Sequence, residues 1–166
     1  MILPFRRNRH RNGTKRVLVP FTRGRLDQTV LDAAIRIARA EDATLVPAYL
    51  IVTPLEFALD APMSQQVATA MPLLEAVEHA SLKAGVPVDA RIENGRTAIH
   101  ALERLWDAER FERIVVPAPR TGPGFTPKDL LWILTHAPSE TMILRPQDAR
   151  ASESQLATAA ASLSTA

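Results

Sequence analysis

Residues Ile114 to Leu130 read IVVPAPRTGPGFTPKDL, a short apolar run, then a loop holding Gly122 and Gly124, then a helix start at Thr126. In an alternating α/β chain this order places free backbone N–H groups and the positive end of a helix dipole where a phosphate can bind. Arg120, Thr121, Gly122, Gly124, Thr126 and Lys128, facing Thr22 and Arg23 from an earlier loop, would make a cationic pocket for a nucleotide or another anion. The competing reading is a connection stiffened by Pro119, Pro123 and Pro127, whose basic side chains are simply solvated.

Other chemistry finds little support. His10, His79, His100 and His136 lack metal-ligand spacing, and no G-x-S-x-G elbow supplies a serine nucleophile. Glu103, Asp107, Glu109 and Glu112 follow one helix and its exit, where a solvated face is the default. The chain has no cysteine, which removes disulfides and thiolate chemistry and fits a reducing compartment. No nucleophile, base and oxyanion site assemble, so the expectation is a protein that is not an enzyme and holds no metal.

The elements that would position the loop alternate between β-rich runs and helical periodicity. RVLVPF, TLVPAYLIV, VPVDARI, RIVVPAP and TMILRP read as strands. Val30, Ala34, Ile37 and Ala38 mark the apolar face of a helix over Leu26 to Ala40, with Asp27 as N-cap. Val67, Met71, Leu74, Val77 and Leu82 mark a second helix from Ser64 to Ala84, stopped by Gly85 and expected to kink or divide at Pro72. Ile99, Leu102, Leu105 and Trp106 mark a third over Thr97 to Glu109, and a fourth starts with Thr126 as N-cap and Pro127 in its first turn. Alternation of this kind gives a parallel sheet with helices on both faces, and ligands then bind beyond the carboxyl ends of the strands. The block LLWIL, Leu130 to Leu134, is apolar on more than one side, so Trp132 either packs into the body or meets another subunit or a protein partner. Strand 141–146 would be an unpaired edge in a monomer, which favours a homodimer through it.

The 166 residues, 46% of them hydrophobic, suit a single domain over 15–146 between a basic disordered arm, 1–14, and a disordered Ala/Ser/Thr-rich tail, 147–166. The net charge of +2 conceals an asymmetry: residues 1–16 hold six basic and no acidic residues, leaving 14 basic against 18 acidic elsewhere. Such an arm, with Arg6, Arg7, Arg9, Arg11, Lys15 and Arg16, could touch nucleic acid or an anionic membrane, or be merely solvated. No signal-peptide h-region is evident, and the apolar runs fall short of the roughly 18 residues that cross a bilayer. A cytoplasmic location is the expectation.

The motifs, taken in order, resemble the universal stress protein A family. KRVLVPFTRGRLDQTVLDAAIRIARAEDATLV is similar to that family's first strand ILVPVDGS, its first helix and its entry to strand two. IENGRTAIHALERLWDAERFERIVV resembles a strand ending in Gly, a helix and DLIVMG; THAPSETMILRP resembles RHAPCPVLVVR. The resemblance covers about residues 15 to 146. It implies a five-stranded parallel sheet ordered 3-2-1-4-5, adenine-nucleotide-hydrolase-like and Rossmann-like, and commonly a homodimer through the fifth strands.

Family members that bind ATP carry G-x-x-G-x9-G-(S/T) after strand four. Here the first glycine falls on Pro117 and the closing Gly-Ser on Pro127 and Lys128, in a loop about three residues shorter. Thr22 replaces the Asp of VPVDGS, and Arg23 follows it. The resemblance therefore implies a regulatory stress-response domain acting through dimerisation and protein contacts, with ATP not held and no cofactor required. The alternative is a small-molecule module using the altered loop 117–128 for a nucleotide or other anion.

Overall fold

A computed structural model describes residues 15–23, 26–119 and 122–146. The proposed arm and tail, and Arg120 and Thr121 of the proposed site, lie outside the described residues. The elements run β1 (Arg16–Phe21), α1 (Gln28–Ala40), β2 (Thr44–Val52), α2 (Ser64–Lys83), β3 (Arg91–Gly95), α3 (Ala98–Ala108), β4 (Arg113–Pro117), α4 (Pro127–His136) and β5 (Glu140–Leu144). All strand pairs are parallel and the order is β3-β2-β1-β4-β5, as the resemblance implies.

Side-chain alternation in the central strands divides the core into two layers. Leu18, Val46, Ile114 and Val116 face Leu102, Leu105 and Trp106 of α3 and Ile133 of α4. Val17, Val19 and Val115 face Val30 and Ala34 of α1 and Val77 of α2. Strands buried on both faces need continuous apolar runs, which is why β1, β2 and β4 are plain in the sequence.

The third strand departs from its expected place. Val86 to Asp89 make only a single bridge, Val88 to Leu45, and the ladder with β2 begins at Arg91. Pro87 has no N–H to give, and the true strand, RIENG, is a half-exposed edge that tolerates polar residues. In α1 the buried face holds Leu31 and Ile35, whereas Ile37 is only partly buried. Helix α2 is continuous through Pro72, and Leu82 faces outward at 57% exposure.

Arg16 also moves out of the arm. It is the first residue of β1 and is buried, with its guanidinium bonded to Asp89 at 2.8 Å and to Glu109. Arg91 completes the cluster, reaching Asp89 at 2.5 Å and Glu109 at 3.2 Å. The Glu112 carboxylate accepts the Arg16 backbone N–H at 2.5 Å. Glu109 and Glu112 are therefore bonded at the amino end of the sheet, beyond the solvated role expected of them. Burial opposes ionisation of Glu109, but hydrogen bonds and charge attraction from Arg16 and Arg91 together outweigh it and lower its pKa.

Trp132 is partly buried against the core: its ring is stacked with Trp106 at 5.7 Å and 5° and with His136 at 4.4 Å and 13°. Within the same block Ile133 is fully buried, while Leu131 and Leu134 stay exposed. Among the described residues no helix is long and apolar enough to cross a membrane, and no three potential metal-ligating side chains gather.

Candidate functional site

Strand order reverses at β1, between β2 and β4, so the crevice beyond the carboxyl ends of β1 and β4 is the place to seek a ligand. A cleft of about 50 Å³ lies there. Phe21, Thr22, Arg23 and Asp27 form one side; Pro117, Pro119, Gly124 and Phe125 form the other. Ligand pockets span roughly 300–1,000 Å³, so this opening falls well short of a nucleotide. Phe125 borders the cleft and is 5% exposed, joining the core cluster with residues of α3 and α4.

The structure gives the glycines a local reason. Gly124 has φ +153°, and a Cβ there would stand 2.6 Å from the Pro119 ring. The loop folds onto its own proline and admits no side chain at that turn. Gly122, with φ +88°, lies exposed nearby.

Both helix starts beside the cleft carry their own anion. Thr126 is the N-cap of α4 as expected, and Asp129 closes a capping box with it. The Thr126 N–H and hydroxyl both donate to Asp129 Oδ2 at 2.8 Å, and the Asp129 N–H donates to Thr126 Oγ1 at 3.2 Å. Pro127 has no N–H, so Thr126 and Asp129 spend most of the first-turn donors on one another. On the facing side the Asp27 carboxylate caps α1 by accepting the Thr29 N–H at 2.8 Å. Carboxylates at both sites answer the helix dipoles that would otherwise attract phosphate.

Of the residues proposed from sequence, Thr22, Arg23 and Gly124 meet at the cleft, with Thr22 half-buried and Arg23 exposed. Thr126 and Lys128 are exposed on the first turn of α4 and do not line it. Sequence reasoning missed the part played by Phe125, which is buried in the core while bordering the cleft, and placed Asp27 and Asp129 at their helix starts without the consequence that they stand there as resident anions. The Asp-plus-Thr pattern around Thr126 was legible as a cap, but its consequence for an incoming phosphate needed the geometry.

A parallel sheet in this order, with its loop and helix start at the switch point, defines a doubly wound α/β protein of the kind that carries nucleotide sites. The model of the Universal stress protein family matches residues 13–123, more than half of the chain, and the protein belongs to that family. A universal stress protein family member from Burkholderia pseudomallei is similar in structure at 22% identity and TM-score 0.56, covering 78% of this chain and 95% of that one. UspA from Lactobacillus plantarum aligns at 18% identity and TM-score 0.62, over 79% and 97% of the two chains. The Archaeoglobus fulgidus universal stress protein in complex with dAMP aligns at 12% identity and TM-score 0.60, over 78% and 96%. No curated protein matches the chain.

Proposed function

We propose that this universal stress protein is a non-enzymatic regulatory domain, spanning residues 15–146, that does not hold ATP and acts through dimerisation and protein contacts. One observation carries the reading: the cleft beyond β1 and β4 is only about 50 Å³, bordered by Pro119 and Phe125, and the helix start beside it is capped by Asp129. A phosphate entering there would have to displace a carboxylate from hydrogen bonds that already take up the Thr126 N–H and hydroxyl. Dimerisation through β5 is supported by its position at the edge of the sheet, with Thr141 to Leu144 half-buried on an unpaired rim.

A second reading keeps the site for a different ligand. The relative from Archaeoglobus fulgidus binds dAMP, and Thr22, Arg23 and Lys128, joined by Arg120, Thr121 and Gly122, would then serve a nucleotide or smaller anion after the loop opens. Native mass spectrometry of the purified full chain separates the two. The first reading expects the bare polypeptide mass, as monomer or dimer; an adenylate or phosphate adduct in stoichiometric amount establishes the second.

A further inference from the structure

Helix α4 carries two apolar stripes, where packing on a sheet needs one. Leu130 and Ile133, with Ala137 at the helix end, belong to the core layer that α3 shares. Pro127, Leu131 and Leu134, spaced i, i+4 and i+7, form the second stripe. All three are exposed, Leu131 at 67% and Leu134 at 57%.

Trp132 shows which way the second stripe looks. Its ring stacks with Trp106, so that flank of α4 faces α3, which lies over β2 and β3. Side chains turn by about 100° per residue along a helix. Trp132 therefore stands on one flank of the core-facing line through Ile133 and Leu130, and Leu131 and Leu134 stand on the other. Because α4 joins β4 to β5 and β5 is the last strand of the sheet, the flank away from α3 borders the open rim of β5. On that rim the Ala118 N–H donates to the Leu144 carbonyl, so Thr141 and Ile143 turn their backbone groups outward. Ile143 also packs against the core layer of α4, so the outward-bonding residues and the leucine stripe share one face of the sheet.

A second copy of the chain fits both features at once. Two such rims paired antiparallel are related by a two-fold axis perpendicular to the sheet, which keeps the same face upward in both copies. The two α4 helices then run antiparallel on either side of the seam, with their second stripes opposed. The five residues of β5 fall well short of the roughly 20–30 residues a side of a standard interface, so strand pairing alone leaves a second layer to be supplied. We propose that Leu131 and Leu134 supply it, packing against the same residues of a second copy above the joined β5 strands. The inference rests on dimerisation through β5 and adds the helix contact to it. Backbone pairing gives the seam its register, and the leucines give it apolar burial.

The absence of cysteine allows a direct test in the full chain. Leu131→Cys and Leu134→Cys, each treated with a short bis-maleimide, should give covalent dimers, whereas Arg36→Cys on α1 should not. By sedimentation, the double variant Leu131→Ser, Leu134→Ser should raise the dimer dissociation constant at least about tenfold. Both positions are exposed in the single chain, so its fold should survive, and the cross-links report independently if it does not. A dimer that Thr141→Pro dissociates, but that the serine variant leaves intact and neither cysteine cross-links, overturns the helix contact and spares the β5 reading. A monomeric wild type, or a dimer indifferent to Thr141→Pro, overturns both.

Discussion

Thr126 and Asp129 hold each other at the start of α4, each backbone N–H donating to the other's side-chain oxygen. This reciprocal cap lets a helix begin at the mouth of a crevice without an external anion. Thr126→Ala should lower unfolding free energy by about 1 kcal/mol, read as a lower urea midpoint at unchanged m-value; an unchanged midpoint would show that the cap contributes nothing.

At the other end of the sheet, Arg16 links β1 to Asp89 and Glu109 from inside the fold. Removing one partner from a buried pair leaves the other charge short of compensation. Arg16→Ala should cost about 3 kcal/mol, far more than Arg104→Ala, whose guanidinium pairs with Glu93 while 45% exposed. Equal losses in denaturant titrations would place Arg16 among ordinary surface charges.

The same cluster predicts a pH dependence. Because the Glu109 pKa is lowered on folding from its ordinary 4.5, its ionised form contributes stability above that value. The contribution is lost as pH falls from about 4.5 through the lower folded value. Glu109→Gln should therefore be less stable than wild type at neutral pH and lose less of its stability on acidification below 4.5. Parallel curves of stability against pH would contradict the assignment.

Trp132 is stacked, nearly parallel, with both Trp106 and His136. Trp132→Ala should cost about 1–3 kcal/mol through lost packing while leaving the assembly state unchanged. A fall in mass by sedimentation, with stability preserved, would return Trp132 to a subunit contact.

The β5 edge is the place where assembly should be sensitive. Ala118 donates to the Leu144 carbonyl, so alternate residues Leu144 and Met142 bond toward β4, while Thr141 and Ile143 present their N–H groups to the open rim. Thr141→Pro removes an outward donor and spares the β4 ladder, so it should convert a dimer to a folded monomer by sedimentation equilibrium. A dimer that survives this change does not pair through β5.

The parts of this fold most visible in the sequence are those buried on both sides. β1, β2 and β4 are continuous apolar runs, and the caps of α1 and α4 at Asp27 and Thr126 stand where the side-chain chemistry expects them. β3 was harder to place because an edge strand with a polar face has no such run, and only the family resemblance pointed to a strand ending at Gly95. The Arg16 cluster was hidden for another reason: its members are 73 and 93 residues apart, and no local spacing announces a pairing made by the sheet. At the crevice, the misplaced glycines and added prolines were legible, but the burial of Phe125 and the bonds of the two resident carboxylates at the starts of α1 and α4 needed the geometry.

A crevice this small, with Asp27 and Asp129 at the helix starts beside it, should not take ATP. Isothermal titration of ATP into the full chain, repeated with AMP and inorganic phosphate up to millimolar ligand, tests it most directly. Heats of dilution alone are expected for all three; a saturable one-to-one isotherm with ATP would show that the crevice does hold the nucleotide.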